Sequence, residues 1–108
     1  MSRARPDASG ALLRAIRQAV AGFRVDFQLE ELRSRSWASV TFAGARHELA
    51  FRLGGAEAGA AAAALVRGLN AAEFRLRGHI LADIALTSEE HKEGTARLAL
   101  EALTVEDG

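Results

Sequence analysis

Three histidines, His47, His79 and His91, are the first candidates for chemistry in this chain. None of them stands in the HExxH, HxH or CxxH spacing that brings metal ligands together, and the chain has no cysteine. The sequence therefore predicts no metal site, no cofactor and no thiolate nucleophile. His47 opens a predicted strand and His91 lies in a charged segment, so we expect both to be solvated.

His79 and Asp83 are candidate ligand-binding residues because they share the outer face of one predicted strand, with Leu81 between them. Four residues of extended strand span roughly 13 Å, so the two side chains cannot hydrogen-bond to each other directly. Asp83 interrupts the apolar run ILADIAL. A charge in such a run must be exposed, paired or functional. The predicted register makes Arg97, on the following strand, its diagonal partner.

Other short patterns lack the signature of a known chemistry. The segment LGGAEAGAAA has neither the lysine of a phosphate-binding loop nor the GxGxxG spacing, and no serine lies in a GxSxG turn. The sequence therefore assigns no catalytic residue. Arg33 and Arg35 beside Trp37 have the charge and the aromatic surface that bind single-stranded nucleic acid. Because Glu30 and Glu31 adjoin them, we expect no nucleic-acid partner.

Composition narrows the class of protein. The chain has 108 residues, with 14 Lys and Arg balanced by 14 Asp and Glu. Its length predicts one domain over 1–108, with a frayed start over 1–8. Balanced charge creates no field that would attract nucleic acid or an acidic membrane. No stretch approaches the ~20 apolar residues of a membrane span, and no signal-peptide core is present, so we expect a cytoplasmic protein without membrane contact.

Hydrophobic spacing predicts one helix and three strands in the first half of the chain. The helix covers 10–21 after Ser9 as N-cap. Strict alternation over 23–29 predicts the first strand. A bulge and a loop then separate it from a second strand over 37–42. A third strand contains 49–53.

The second half predicts one more helix and two strands. An alanine-rich segment predicts a helix that closes at Asn70, since alanine is the best helix former. A fourth strand over 74–86 bends at Gly78. A charged hairpin tip over 87–94 leads to a fifth strand over 96–106.

The predicted fold class is α+β, with the order α-β-β-β-α-β-β and no internal repeat. One mainly antiparallel five-stranded sheet with two helices on one face would bury the apolar side chains of all these elements. This order resembles that of the small dimeric chaperones of type III secretion, which add a last helix. An architecture shared at this level does not carry function.

The sheet face that the helices leave open carries apolar residues among charges. An exposed apolar patch on a small domain indicates a partner, so the sequence predicts a protein-interaction surface there. The predicted interface residues are Trp37, Arg77, Leu81, Arg97, Leu103 and Val105. The predicted function is a non-enzymatic interaction domain, a homodimer through this face, with another protein as the second kind of partner. The alternative is a small-ligand binder or enzyme with a pocket near Arg77, His79 and Asp83.

Overall fold

The computed structural model describes residues 7–70 and 74–106, which form two helices and four strands. In chain order these elements are α1 (Ala8–Ala19), β1 (Asp26–Ala38), β2 (Ala43–Gly54), α2 (Ala58–Arg67), β3 (His79–Lys92) and β4 (Thr95–Glu106). The fold class is α+β. The sheet over the described residues has four strands, so the prediction of five strands is wrong.

The sheet has the order β1-β2-β4-β3, and every neighbouring pair is antiparallel. The order of elements, helix-strand-strand, therefore occurs twice, and the two halves meet where β2 pairs with β4 in the centre. This repeat is one of architecture, since the sequence itself shows none.

The predicted loop between the first two strands does not exist, because β1 runs through it without interruption. A β-bulge between Leu29 and Glu31 absorbs the break in alternation that the sequence shows there. Two predicted strands are therefore one strand of 13 residues. Val40 and Phe42, expected inside the second strand, lie in the turn that connects β1 to β2 and are exposed. With one strand fewer, the chain loses the element order on which the resemblance to secretion chaperones rested.

The first strand of the β3–β4 hairpin begins and ends later than the sequence predicts. The strand begins at His79, because Gly78, with a φ of 79°, forms a tight turn closed by a bridge between Leu76 and His79. At the other end β3 continues to Lys92. Positive φ angles at Glu93 and Gly94, 43° and 77°, make a two-residue turn that suits the strand twist. The predicted eight-residue tip is thus mostly strand.

A further bulge, at Ala82, reverses the facing of the residues before it. Leu81 pairs with Thr104, and its side chain is only 6% exposed on the helix-covered face. Ile84, beyond the bulge, is also buried on that face. Ile80 takes the outer position instead and is 53% exposed. The prediction that Leu81 lies on the open face is therefore wrong.

The helix α1 begins and ends earlier than its sequence signals predict, and α2 ends earlier than predicted. Asp7, rather than Ser9, caps α1, because its carboxylate accepts a hydrogen bond from the Ser9 N–H. Gly68 caps α2 in place of Asn70. The expected frayed segment falls mainly on 1–6, which lies outside the described residues, as does 71–73.

The helices pack on one face of the sheet around a single apolar core. Phe51 is fully buried at its centre and stacks on Phe27 with ring centroids 4.9 Å apart. The guanidinium of Arg17 lies 4.8 Å from the Phe27 ring centroid, which shields the ring from water. Ala61 and Ala62 are fully buried, so α2 lies close against β2 and β4.

The helices are much shorter than the strands. Helices of 12 and 10 residues extend roughly 15–18 Å, whereas strands of 12 to 14 residues extend about 40–45 Å. The ends of the sheet therefore project beyond the helices. Among the described residues, no helix has the length and apolar character needed to cross a membrane.

Candidate functional site

A polar cavity of about 340 Å³ lies where the sheet projects past the start of α1. Residues from α1, from its N-cap Asp7 and from all four strands meet there because the helices no longer cover this end of the sheet. The side chains that give the cavity its polar character are Asp7, Ser9, Ser34, Ser36, His47, His79, Thr104 and Glu106. We call this set the polar cavity.

His47 is the central group of the polar cavity, and its side chain is only 1% exposed. It lies opposite Ser34 in the pairing of β1 with β2. The Ser34 hydroxyl is 2.7 Å from His47 Nδ1, and the Thr104 hydroxyl is 3.0 Å from Nε2. Thr104 in turn donates to the carbonyl of Ala45 at 3.4 Å. Both ring nitrogens are therefore hydrogen-bonded to side-chain hydroxyls.

These contacts favour one tautomer of His47. A threonine hydroxyl has one proton, and its contact with the Ala45 carbonyl directs that proton away from the imidazole. The Thr104 oxygen must then accept from Nε2–H, which leaves the lone pair of Nδ1 to accept from the Ser34 hydroxyl. The result is a directed chain of hydrogen bonds from Ser34 through His47 to Thr104.

Burial lowers the pKa of His47, because the charged imidazolium would lose its hydration in this position. The nearby His79 acts in the same direction, and Asp7 opposes it. His47 is consequently neutral at pH 7. The expectation that it is a solvated residue is wrong.

The structure separates the residues of the predicted ligand pocket. His79 lines the polar cavity, and its Nδ1 donates to the Arg77 carbonyl at 3.3 Å. Because the bulge at Ala82 lies between them, Asp83 points to the opposite, open face. Arg77 is exposed in the turn before β3. A shared pocket of Arg77, His79 and Asp83 does not form.

Arg97 also has a different partner from the predicted one. Its guanidinium binds the Glu30 carboxylate on β1 at 2.9 Å, and not Asp83. Both Arg97 and Asp83 lie on the open face, but the register places them several residues apart along the strands. Hydrogen bonding to Glu30 raises the pKa of Arg97. Arg97 is therefore distant from the apolar residues with which it was predicted to form an interface.

The open face has one apolar end. Strand pairing arranges its side chains in rows across the sheet, and the last row consists of Trp37, Gly44, Val105 and Ile80. The next row inward consists of Arg35, Arg46, Leu103 and Asp83. Phe42, beyond the last row, is 57% exposed. We call Trp37, Phe42, Ile80, Leu103 and Val105 the apolar end.

Trp37 lies flat against the backbone at this end. A Cβ atom at Gly44 would lie 2.9 Å from Trp37 Cζ2 and 2.0 Å from the Thr104 carbonyl oxygen, so only glycine permits this close approach. The indole N–H is buried and has no hydrogen-bond partner among the described residues. It is therefore the ring surface of Trp37, half-buried, that contributes to packing.

Sequence reasoning found the apolar end but missed the polar cavity. Trp37, Leu103 and Val105 were predicted for this surface, whereas Ile80 and Phe42 were expected inside. For the cavity a signal was present. His47 has the same parity as the core residues Leu49, Phe51 and Leu53, and this parity indicates an inward side chain. No such signal exists for Ser34, because the bulge before it changes the facing of β1.

Within residues 7–70 and 74–106, no group of three or more histidine, aspartate or glutamate side chains is arranged to hold a metal ion. The polar side chains of the cavity are hydroxyls, imidazoles and two carboxylates. Comparison of the chain with protein-family models, with curated proteins and with solved structures found no match.

Proposed function

We propose that this chain is a small protein-interaction domain that forms a homodimer through the apolar end of its open sheet face. The observation that carries the proposal is the exposure of this end: Ile80 is 53% and Phe42 57% exposed, beside the half-buried Trp37, Leu103 and Val105. Contiguous apolar surface of this kind marks interaction sites on small proteins.

The arrangement of the last row supports a second copy as the partner. A two-fold axis that lies between two facing sheets, parallel to their strands, places β1 of one protomer over β3 of the other. In this arrangement Trp37 faces Ile80 of the second protomer, and Val105 faces the space above Gly44. Large side chains thus meet smaller ones across the two-fold axis.

Charge supports the same axis. In the second row, Arg35 lies on β1 and Asp83 on β3, the two outer strands of the sheet. The two-fold axis therefore places Arg35 of one protomer opposite Asp83 of the other. Neither side chain has an ion-pair or hydrogen-bond partner within the described part of the chain. Two such pairs would flank the apolar contact, and unlike charges favour this register over others.

Light scattering or sedimentation over a range of concentrations tests the proposal. We expect the unaltered protein to be a dimer, and Ile80→Asp to be a folded monomer because it places a charge against Trp37 of the second protomer. Ala63→Asp is the matched control, since Ala63 is exposed on the outer side of α2. This variant should remain dimeric. An unaltered protein that is monomeric at high micromolar concentration contradicts the proposal.

A further inference from the structure

We infer that Ser34 is a nucleophile that His47 activates, and that the polar cavity admits small acyl esters. This inference is independent of the proposed dimer, which uses the opposite face of the sheet. It assigns a reaction class, transfer of an acyl group to a serine hydroxyl, to a pair of residues that the sequence did not single out.

The geometry meets the first requirement of such a pair, a hydrogen bond between nucleophile and base. The distance of 2.7 Å between Ser34 Oγ and His47 Nδ1 is within the range for direct proton transfer. The second requirement is a group that orients the base. Thr104 accepts from His47 Nε2–H at 3.0 Å and is itself fully buried, so the imidazole is held in the tautomer that can accept the serine proton.

The nucleophile Ser34 is accessible to a substrate, whereas the base His47 is buried. Ser34 is exposed on β1, whereas His47 lies beneath it with 1% of its surface accessible. A substrate can therefore approach Oγ from the cavity while water has little access to the base. Among the groups facing His47, Asp7 comes from the start of α1, His79 from β3 and Glu106 from β4.

The step is balanced without any additional reagent. The Ser34 hydroxyl proton moves to His47 Nδ1 as Oγ forms a bond to the acyl carbon of the ester. The bond from that carbon to the leaving alcohol breaks, and the alcohol departs with its electron pair. The proton on His47 then passes to the leaving group or to solvent, which regenerates the neutral imidazole.

The test uses p-nitrophenyl acetate and the full chain. We expect one acetyl group on the peptide that contains Ser34, detected by mass spectrometry, together with release of p-nitrophenol. Ser34→Ala should lose this label, because it removes the nucleophilic hydroxyl, and a thermal melt shows that the variant is folded. Ser88→Ala is the matched control: Ser88 is an exposed serine on β3 that lies outside the polar cavity. It should label as the unaltered protein does.

The pH profile distinguishes an activated serine from an ordinary one. With His47 as the base, the labelling rate should rise as the imidazole loses its proton and become constant above about pH 6.5, the ordinary histidine value. A general base contributes about 10²–10⁴-fold, so Ser34 should label at least tenfold faster than any other hydroxyl of the chain. Label confined to other residues, equal loss in both serine variants, or a rate that remains proportional to hydroxide overturns the inference.

Discussion

At the scale of single residues, His47 is the clearest case in which burial decides chemistry. Its ring lies in the core-facing row of β2, yet both of its nitrogens are hydrogen-bonded to hydroxyls. Burying a polar group without partners costs free energy, and this residue avoids the cost by having two. The same burial that keeps the imidazole neutral makes it available as a base.

The lowered pKa of His47 predicts that the protein becomes less stable in mild acid. The unfolded chain binds a proton at His47 near pH 6.5, whereas the folded protein binds it only at lower pH. As the pH falls below about 6.5, the unfolded state therefore gains protons that the folded state does not, and the free energy of unfolding falls. The decline from this residue is at most about 1.4 kcal/mol per pH unit and ends below the folded-state pKa.

Denaturant unfolding at pH 7.5, 6.5 and 5.5 checks this expectation, since most Asp and Glu side chains titrate at lower pH. The variant His47→Gln keeps a hydrogen-bonding side chain but cannot titrate, and it should lose most of the pH dependence. His91→Gln, at an exposed position, should retain it. Equal stability of the unaltered protein at pH 7.5 and pH 5.5 would contradict the assignment.

At the scale of elements, the bulges decide which residues face the core. Strict alternation over β3 predicts Ile80 inside and Leu81 outside, and the extra residue Ala82 reverses this for the residues before it. The bulge is favourable because it allows two apolar side chains of β3 to be buried. Leu81 and Ile84 both bury their side chains in the apolar core, which an unbulged strand with this spacing could not achieve.

Paired alanine substitutions test the position of this bulge. Leu81→Ala should lower the free energy of unfolding by about 2–5 kcal/mol, because it leaves a cavity in the core. Ile80→Ala should cost less than about 1 kcal/mol, because more than half of that side chain is already exposed. Denaturant melts at low protein concentration keep any contribution of self-association out of the comparison. If Ile80→Ala lowers the free energy of unfolding more than Leu81→Ala does, β3 has the unbulged register and the bulge at Ala82 is wrong.

At the scale of the whole molecule, the long sheet and the short helices create two uncovered surfaces at one end. The longest dimension is 47 Å, more than twice the length of either helix. The helix side of this end is polar and contains the cavity, whereas the open side is apolar. The two proposals thus assign separate roles to the two faces of the same sheet end.

A charge exchange tests the proposed two-fold contact without disturbing the core. Arg35→Asp alone should weaken the dimer, because Asp83 of the second protomer would then face a like charge. Asp83→Arg alone should weaken it in the same way. The double variant should regain most of the lost affinity, as measured by sedimentation, because it re-forms both pairs with reversed sign. If the double variant is no tighter than the single variants, the two residues do not meet across the interface.

The sequence by itself was sufficient for the α+β class, for two helices and for most of the core, because hydrophobic period depends on local geometry alone. Phe51, Leu12 and Ile16 are buried as their spacing predicts. Tertiary structure alone decided the number of strands, since a bulge between Leu29 and Glu31 and a loop give the same break in alternation. Tertiary structure also decided which side chains meet in the polar cavity. Ser34, His47 and Thr104 come from three strands that are neighbours only after pairing, and no spacing along the chain records which strands will pair.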